Sequence, residues 1–220
     1  MDMIQGIKER RSIRRFKDMP VPRETLEEIV EAASYAPSWK NSQTVRYYIA
    51  DRKELLDQIA TEECLMGFRH NLNIIAGSPA LVVLASVAGR SGYERDGSSS
   101  TAKGSHWESF DAGAAAMAFC LAAHEKGLGT VIMGIFDEDK VRQVIRLPED
   151  QRISALISIG YPDEEQYDTA RSSFRSGFFC FGIEKVVLNI LSTNTFLRCG
   201  DLTILSILLL HVDFKCMVIL

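Results

Sequence analysis

Four short apolar segments, separated by helical sequence, constrain the fold of this chain more than any other feature. They centre on Tyr47, Val82, Val131 and Leu156. The second is a continuous run of aliphatic residues from Ala80 to Ala85, which is typical of a strand buried on both faces. Strands that alternate with helices predict a layered domain, either α+β or α/β.

Helical patterns occupy the stretches between these segments. One of them, from Glu62 to Ala76, places apolar residues on one side and predicts a single helix. The longest, from His106 to Lys126, contains a nearly unbroken series of small residues between Ala112 and Ala118. Small side chains allow another backbone to approach closely, which favours a buried or subunit-interface helix. Alanine is also a good helix former in its own right, so that simpler explanation stands beside the first.

Arginine is concentrated near the N-terminus, where residues 10–16 read Arg-Arg-Ser-Ile-Arg-Arg-Phe. The guanidinium group presents a rigid set of N–H donors that matches a phosphate group. A charge run is more often a solvated face, so both interpretations remain open at this point. The whole chain is acidic, with 25 lysines and arginines against 29 aspartates and glutamates. This balance favours one small anionic ligand over nucleic acid as the partner.

The sequence lacks the motifs of several other function classes. The five cysteines show no CxxC spacing and the four histidines are scattered, so neither a metal site nor a disulfide framework is expected. A Walker A loop, a complete GxGxxG motif and a signal peptide are also missing. The apolar stretch from Leu202 to Val212 is too short to cross a bilayer. We therefore expect a cytoplasmic protein without membrane association.

Two polar loops are candidates for ligand contacts. Ser38 to Gln43 follows a helix that should end at Ala36-Pro37, and it is either a plain connection or a ligand-binding loop. Gly89 to Ser105 is rich in glycine and serine and is expected to be mobile. It is either a surface loop or a lid over the site of an electron acceptor.

The composition changes after Arg171, where aromatic and aliphatic residues replace polar, helix-forming sequence. We expect two parts, residues 1–171 and an atypical hydrophobic tail of residues 172–220. The tail is extra core or a dimer-embracing arm, an interfacial membrane segment, or an ending foreign to the domain, such as a frame-shifted one. The abrupt shift in composition favours the last of these.

Several motifs occur in an order that resembles the FMN-dependent nitroreductase-like flavoprotein family. After the arginine segment come Ala32-Ala33, Ala36-Pro37-Ser38 with Asn41 and Gln43, Gly127-Leu128-Gly129, Met133-Gly134, Leu147-Pro148 and Gly160-Tyr161-Pro162. Each motif is weak alone, but the ordered set is specific and covers about residues 3–171. The resemblance implies an α+β fold in which helices flank a mostly antiparallel sheet. It also implies an intimate homodimer with two FMN sites at the subunit interface.

The resemblance further implies which residues contact the FMN. Arg10 and Ser12 would hold its phosphate, Arg11 would add contacts, and Arg14 would lie near the N1/O2 edge of the flavin. Four residues of the first loop would reach the flavin of the other subunit: Pro37, Ser38, Trp39 and Asn41. Met133 and Gly134 would line the isoalloxazine ring, Asn71 would contact the flavin, and Arg171 would be a late basic residue on the phosphate. Trp39 departs from the family pattern, in which a second serine is common.

The activity implied by the resemblance is the reduction of nitroaromatic, quinone or related small acceptors, with NAD(P)H as the donor in a ping-pong mechanism. Because the flavin does the chemistry, no catalytic side chain is expected, and Arg14 would tune the flavin potential. Two alternatives remain. One is a family relative with another flavin reaction, such as dehalogenation or dehydrogenation. The other is a non-catalytic FMN-binding or redox-sensing protein.

Overall fold

Helices cover both faces of a four-stranded antiparallel sheet in this computed structural model. The structure describes residues 2–163 and the backbone of residues 181–182 and 185–186. The predicted site residue Arg171 and all other residues of the predicted tail, 172–220, therefore lie outside the described residues, apart from the backbone of those four positions. The chain divides into two compact units, Met1–Asp168 and Thr169–Leu220. In the second unit, the described backbone forms a pair of two-residue antiparallel strands, β5 (Phe181–Gly182) and β6 (Lys185–Val186).

The sheet of the first unit has the strand order β1-β2-β4-β3. These strands are β1 (Val45–Ala50), β2 (Ala80–Val87), β3 (Gly129–Met133) and β4 (Gln151–Gly160). All three neighbouring pairs are antiparallel, which confirms the α+β alternative and the four predicted strand positions. The aliphatic run in β2 is almost wholly buried because this strand lies inside the sheet with helices on both faces.

Six α-helices complete the first unit. They are α1 (Met3–Glu9), α2 (Arg23–Ser34), α3 (Lys53–Ile59), α4 (Arg69–Ala76), α5 (His106–Glu125) and α6 (Glu138–Ile145). Each face of the sheet has its own hydrophobic core. One core joins α2 and α5 to the sheet through residues such as Leu26 and Phe119. The other joins α3, α4 and α6 to the opposite face through Leu56, Ile75 and Val141.

The predicted helix from Glu62 to Ala76 is wrong in its first half. The chain turns through residues 61–67, and α4 begins only at Arg69. Met66 and Gly67 have φ angles of 53° and 71°, values in the left-handed region that end a right-handed helix. Of the apolar residues that predicted this helix, Cys64 and Ile75 are buried, whereas Phe68 is 40% exposed, and a turn rather than a helix buries Cys64.

The central helix α5 has two unlike faces. Ala112, Ala116 and Ala123, with Phe119, lie buried in the core that α5 shares with the sheet and α2, as their size allows. The side chains of Phe110 and Met117 are 65% and 37% exposed, and Ile132 of β3 is 48% exposed. Beside this exposed face, a groove of about 550 Å³ is lined by residues of α5, β2, β3 and β4.

Candidate functional site

The arginine segment, residues 10–16, contacts the start of β3 and continues past the end of β4. Ser12 and Thr130 form a parallel bridge, the backbone N–H of Ile13 donates to the carbonyl of Thr130 at 3.0 Å, and Phe16 bridges Pro162. Ile13 and Phe16 are buried while Arg14 and Arg15 are exposed, so the segment presents these two arginines outward from a backbone that hydrogen bonds hold.

Gly129 allows the segment to lie this close to the sheet. A Cβ atom at Gly129 would fall 2.6 Å from the side chain of Ile13, far inside van der Waals contact. The far end of the segment is held as well, because the N–H of Lys17 donates to the carbonyl of Tyr161 at 2.9 Å. The N–H of Asp163 in turn donates to the carbonyl of Arg15 at 3.0 Å. Two predicted motifs, at Gly129 and at Tyr161, thus serve to position the arginines.

Arg10 carries a buried donor that is available to a ligand. Its Nε is buried and has no hydrogen-bond partner among residues 2–163. Leaving such a donor unpaired costs free energy, so the position suits an acceptor supplied from outside. Burial raises the pKa of the nearby Cys120 thiol, while a hydrogen bond with Thr130 and the positive charge of Arg10 oppose that rise. The guanidinium therefore projects its field over the region where α5 meets the start of β3.

The neighbouring arginines make local backbone contacts. Nη1 of Arg11 donates to the carbonyls of Lys8 and Arg10, the latter at 3.0 Å, and so covers the end of α1. Nη1 of Arg14 donates to the carbonyl of Ser12 at 3.3 Å. Both side chains fold back on the segment in this structure, and their predicted contacts with a flavin stay predictions.

Three further predicted residues meet at the other end of β3. Asn71 is only 5% exposed, and its Nδ2 donates to the carbonyl of Ile135 at 3.1 Å. This bond ties α4 to the chain just after Met133 and Gly134. Met133 is buried, whereas Gly134 is exposed with open space where a side chain would be. At about 3.3 Å per residue, the strand separates Thr130 from Gly134 by about 13 Å, a span that an elongated ligand can cover.

The first loop, residues 37–43, is conformationally strained. Trp39–Asn41 form a short 3-10 helix, and Lys40, Asn41 and Gln43 have φ angles of 47°, 54° and 49°. Non-glycine residues in the left-handed region are uncommon and persist where the surroundings hold them. One such support is the N–H of Gln43, which donates to Oγ of Ser38 at 2.9 Å.

A buried carboxylate provides the main support of this loop. Both carboxylate oxygens of Asp111 accept the backbone N–H of Trp39, at 3.1 and 3.0 Å, and Oδ2 also accepts the hydroxyl of Ser91 at 2.7 Å. Asp111 lies in α5 and is 2% exposed. The loop and the start of β1 enclose a cavity of about 430 Å³, which Asp111 also lines. Tyr47 lines the same cavity, and burial raises the pKa of its phenol to about 12.

The second loop, residues 89–105, forms hydrogen-bonded turns and contacts the first, since Nζ of Lys40 is 2.7 Å from a carboxylate oxygen of Glu94. The ring of Trp39 also lies 4.5 Å between centroids from that of Trp107 at the start of α5. Inside the second loop, Tyr93 pairs with Ser99 in an antiparallel bridge. The hydrogen bond from Lys40, then that from Ser100, lowers the pKa of the Glu94 carboxyl.

The structure thus sorts the predicted site residues into two groups. Arg10, Arg11, Ser12 and Arg14 lie beside the start of β3, with Asn71, Met133 and Gly134 at its end. Pro37, Ser38, Trp39 and Asn41 line the cavity or loop that Asp111 holds. Sequence reasoning missed Asp111 and Ser91. The one available signal for Asp111 was an acidic residue directly before the run of small residues in α5.

Other kinds of site receive no support from the described part of the chain. Residues 2–163 contain no cluster of three histidine, cysteine or acidic residues that could hold a metal ion. Within residues 2–163, no helix is both long enough and apolar enough to cross a bilayer.

Comparison with known proteins points in one direction. A model of the nitroreductase family matches residues 7–161. An NADH dehydrogenase of Thermus thermophilus is 30% identical over 185 residues, which are 74% of this chain and 87% of that protein. A protein of Methanothermobacter thermautotrophicus, provisionally named an NADH dehydrogenase/NAD(P)H nitroreductase, is 29% identical and covers 74% of this chain and 79% of its own length.

Two further similarities bear on cofactor and reaction type. The solved structure of an FMN-dependent nitroreductase from Clostridium difficile R20291 is 29% identical, with a TM-score of 0.64. The matched region covers 80% of this chain and 98% of the chain in that structure. An iodotyrosine deiodinase of Thermotoga neapolitana is 27% identical over 71% of this chain and 87% of that protein. The shared fold therefore accommodates more than one reaction.

Proposed function

The chain belongs to the nitroreductase family, and from this premise we propose that it is an FMN-dependent oxidoreductase that uses NAD(P)H to reduce nitroaromatic, quinone or related small acceptors. The similarity to an FMN-dependent nitroreductase and to a protein provisionally named an NAD(P)H nitroreductase supports the cofactor and the donor. The proposed FMN-binding domain spans residues 1–171, with residues 172–220 as an addition to it.

The observation that carries the proposal is the unpartnered, buried Nε of Arg10 inside a cationic segment fixed to the edge of the sheet. A phosphate group offers the acceptor that this donor lacks. We assign the phosphate of FMN to Arg10 and Ser12, with Arg11 and Arg171 as further contacts. We assign the ring system to Asn71, Met133 and Gly134, about 13 Å farther along β3.

Bound FMN would supply the hydride chemistry, taking reducing equivalents from NAD(P)H and delivering them to the acceptor in a ping-pong cycle. The side chains of this protein then have only to bind, orient and polarise the flavin and its substrates. Arg14 is exposed beside Ser12, and a cation there would favour electron uptake by a neighbouring flavin. We assign no acid–base side chain to the reaction.

We further propose that the active form is a homodimer. In one protomer, the first loop is anchored to α5 at Asp111, while the arginine segment lies along β3. A second copy would bring Pro37, Ser38, Trp39 and Asn41 of one protomer to the flavin of the other. The exposed face of α5 offers a surface for that contact, since exposed side chains as large as Phe110 and Met117 are characteristic of interfaces.

Absorbance of the purified protein tests the cofactor directly. We expect a yellow protein whose flavin spectrum bleaches when NADH or NADPH is added without oxygen. Recovery of colour on adding a nitroaromatic or a quinone would support the proposed acceptors, and recovery only with a halogenated phenol would redirect the proposal to dehalogenation. A yellow protein that neither nucleotide bleaches would instead be a non-catalytic FMN-binding protein.

The substitution Arg10→Gln tests the phosphate assignment. Loss of a charged hydrogen bond should raise the dissociation constant of FMN by about 10- to 100-fold, measured by quenching of flavin fluorescence. The matched control is Arg23→Gln, because Arg23 is an exposed arginine in surface ion pairs. Equal affinity of the two variants for FMN would remove Arg10 from the site.

A further inference from the structure

Asp111 is a buried charged group that the proposed reaction does not use. It lies in the first third of α5, where the other buried residues are alanine, phenylalanine and cysteine. Burying a carboxylate costs free energy unless hydrogen-bond donors replace the lost water. Asp111 receives its donors from outside its own helix, from the backbone of Trp39 and the hydroxyl of Ser91.

These donors belong to the two loops that flank the proposed site. Trp39 is in the first loop (residues 37–43), and Ser91 is in the second (residues 89–105). Asp111 is therefore stable in its buried position only when both loops are in place. Because a carboxylate accepts hydrogen bonds and donates none, it suits a position surrounded by donors.

Trp107, one turn before Asp111 in α5, contacts both loops. Its ring lies 4.5 Å from that of Trp39 in the first loop, and its Nε1 donates to Oγ1 of Thr101 in the second loop at 2.9 Å. Lys40 pairs with Glu94 at 2.7 Å. The indole N–H of Trp39 is buried and lacks a partner within residues 2–163, so this ring is held by packing and by its backbone. A buried anchor, a ring contact and a surface ion pair thus converge on one junction.

We propose that Asp111 is a positioning residue that holds the first and second loops together as one unit. Contact of the first loop with the cofactor and entry of the acceptor past the second loop then depend on the same carboxylate. This inference rests on the proposed function, in which the first loop contacts the flavin and the second loop covers the acceptor site. The junction itself is a property of the protein without any ligand.

The two tryptophans provide a direct measurement of the junction, because Trp39 and Trp107 are the only ones in the chain. Rings this close couple their electronic transitions, and we expect a tryptophan couplet in the circular dichroism spectrum of the flavin-free protein. Trp107→Phe should abolish the couplet and so identify it.

The decisive variant is Asp111→Leu, which keeps the branched shape and removes both acceptor oxygens. Neither loop then finds an acceptor at this position, so the couplet should lose most of its amplitude. The dissociation constant of FMN should rise about tenfold, and the KM of the acceptor should rise more than kcat falls. Asp57→Leu is the matched control, because Asp57 is exposed and, within residues 2–163, pairs with Lys53 of its own helix. An Asp111→Leu protein with the parent couplet and the parent FMN affinity would overturn the proposal.

Ser91→Ala gives an independent test if the first variant does not fold. It leaves Asp111 on Trp39 and removes only the bond to the second loop, so the KM of the acceptor should rise while the couplet and the FMN affinity change less. An unchanged acceptor KM in Ser91→Ala would also overturn the proposal. The couplet needs neither flavin nor turnover. A parent protein that shows the couplet but binds no FMN would therefore refute the proposed function and leave the junction intact.

Discussion

Gly129 determines how closely the arginine segment approaches the sheet. The space for a Cβ atom is already occupied by Ile13, whose side chain would be 2.6 Å away. Two residues that are far apart in sequence thus have complementary sizes, and the arginines depend on that match for their position. Neither residue carries charge or contacts the proposed ligand in our assignment.

We predict that Gly129→Ala destabilises the protein by about 1–3 kcal/mol, as overpacking of a filled core does, measured by chemical denaturation. Ile13→Ala should partly rescue it, because the smaller side chain makes room for the new methyl group. A double-mutant cycle gives the coupling between the two positions. Strictly additive effects would show that the close contact with Ile13 is not the cause.

Single residues also show which parts of the site could be predicted from the sequence and which could not. The arginines, Ser12 and Gly129 could be selected from the sequence because motif order selected them. Asp111 could not be selected in this way, because its role depends on donors at positions 39 and 91, which only the folded chain brings to it.

At the scale of elements, the two loops are joined by contacts of unequal strength. Asp111 is buried, whereas the side chains of Lys40 and Glu94 are 57% and 45% exposed. Exposed ion pairs contribute little, since water and salt screen them. We therefore expect the Lys40–Glu94 ion pair to add only a small stabilisation to the junction between the loops, which depends mainly on the buried carboxylate of Asp111.

Acid titration of the tryptophan couplet should reveal how much Glu94 contributes to the stability of the junction between the two loops. Its hydrogen bond from Lys40 lowers the pKa of the carboxyl below its ordinary value of 4.5. A lowered carboxyl pKa means that the stabilisation is complete above the ordinary pKa and is lost as the pH falls through the lowered value. The couplet should hold from neutral pH down to 4.5 and decline below it. Glu94→Gln should lack this step, and an identical acid profile in both proteins would exclude Glu94 as its source.

The elements also explain which secondary structure the sequence could predict. Strand β2 and helix α5 occur where the sequence patterns place them, because local pattern and burial agree. The stretch from Glu62 to Ala76 failed, since its apolar residues face a core from a turn as well as from a helix. Gly67 inside that stretch was the local sign of the break.

At the scale of the whole molecule, the exposed face of α5 is the feature that a single protomer leaves unexplained. It includes Phe110 and Met117, with Ile132 nearby on β3 and a groove of about 550 Å³ beside them. The small residues predicted an interface helix as one of two alternatives. The structure buries Ala112, Ala115 and Ala116 within the protomer and leaves Gly113 exposed beside Met117 on the face open to the proposed partner.

We predict that Met117→Lys converts the protein to a monomer of 24.6 kDa in light scattering and releases FMN, because a buried unpaired charge opposes association. Met66→Lys is the control, since Met66 is 67% exposed in the turn before α4. It should leave mass and flavin content unchanged. A Met117→Lys protein with the mass of the parent dimer would place the interface elsewhere.

The bridge between Ser12 and Thr130 has a consequence for the order of events during synthesis. The arginines leave the ribosome first, yet their backbone partners at Thr130 and Tyr161 are made last in this unit. Contacts between distant parts of a chain form late because loop closure must precede them. The nascent arginine segment therefore spends most of translation without its backbone partners, and we expect the proposed phosphate site to form only after the rest of this unit has been made.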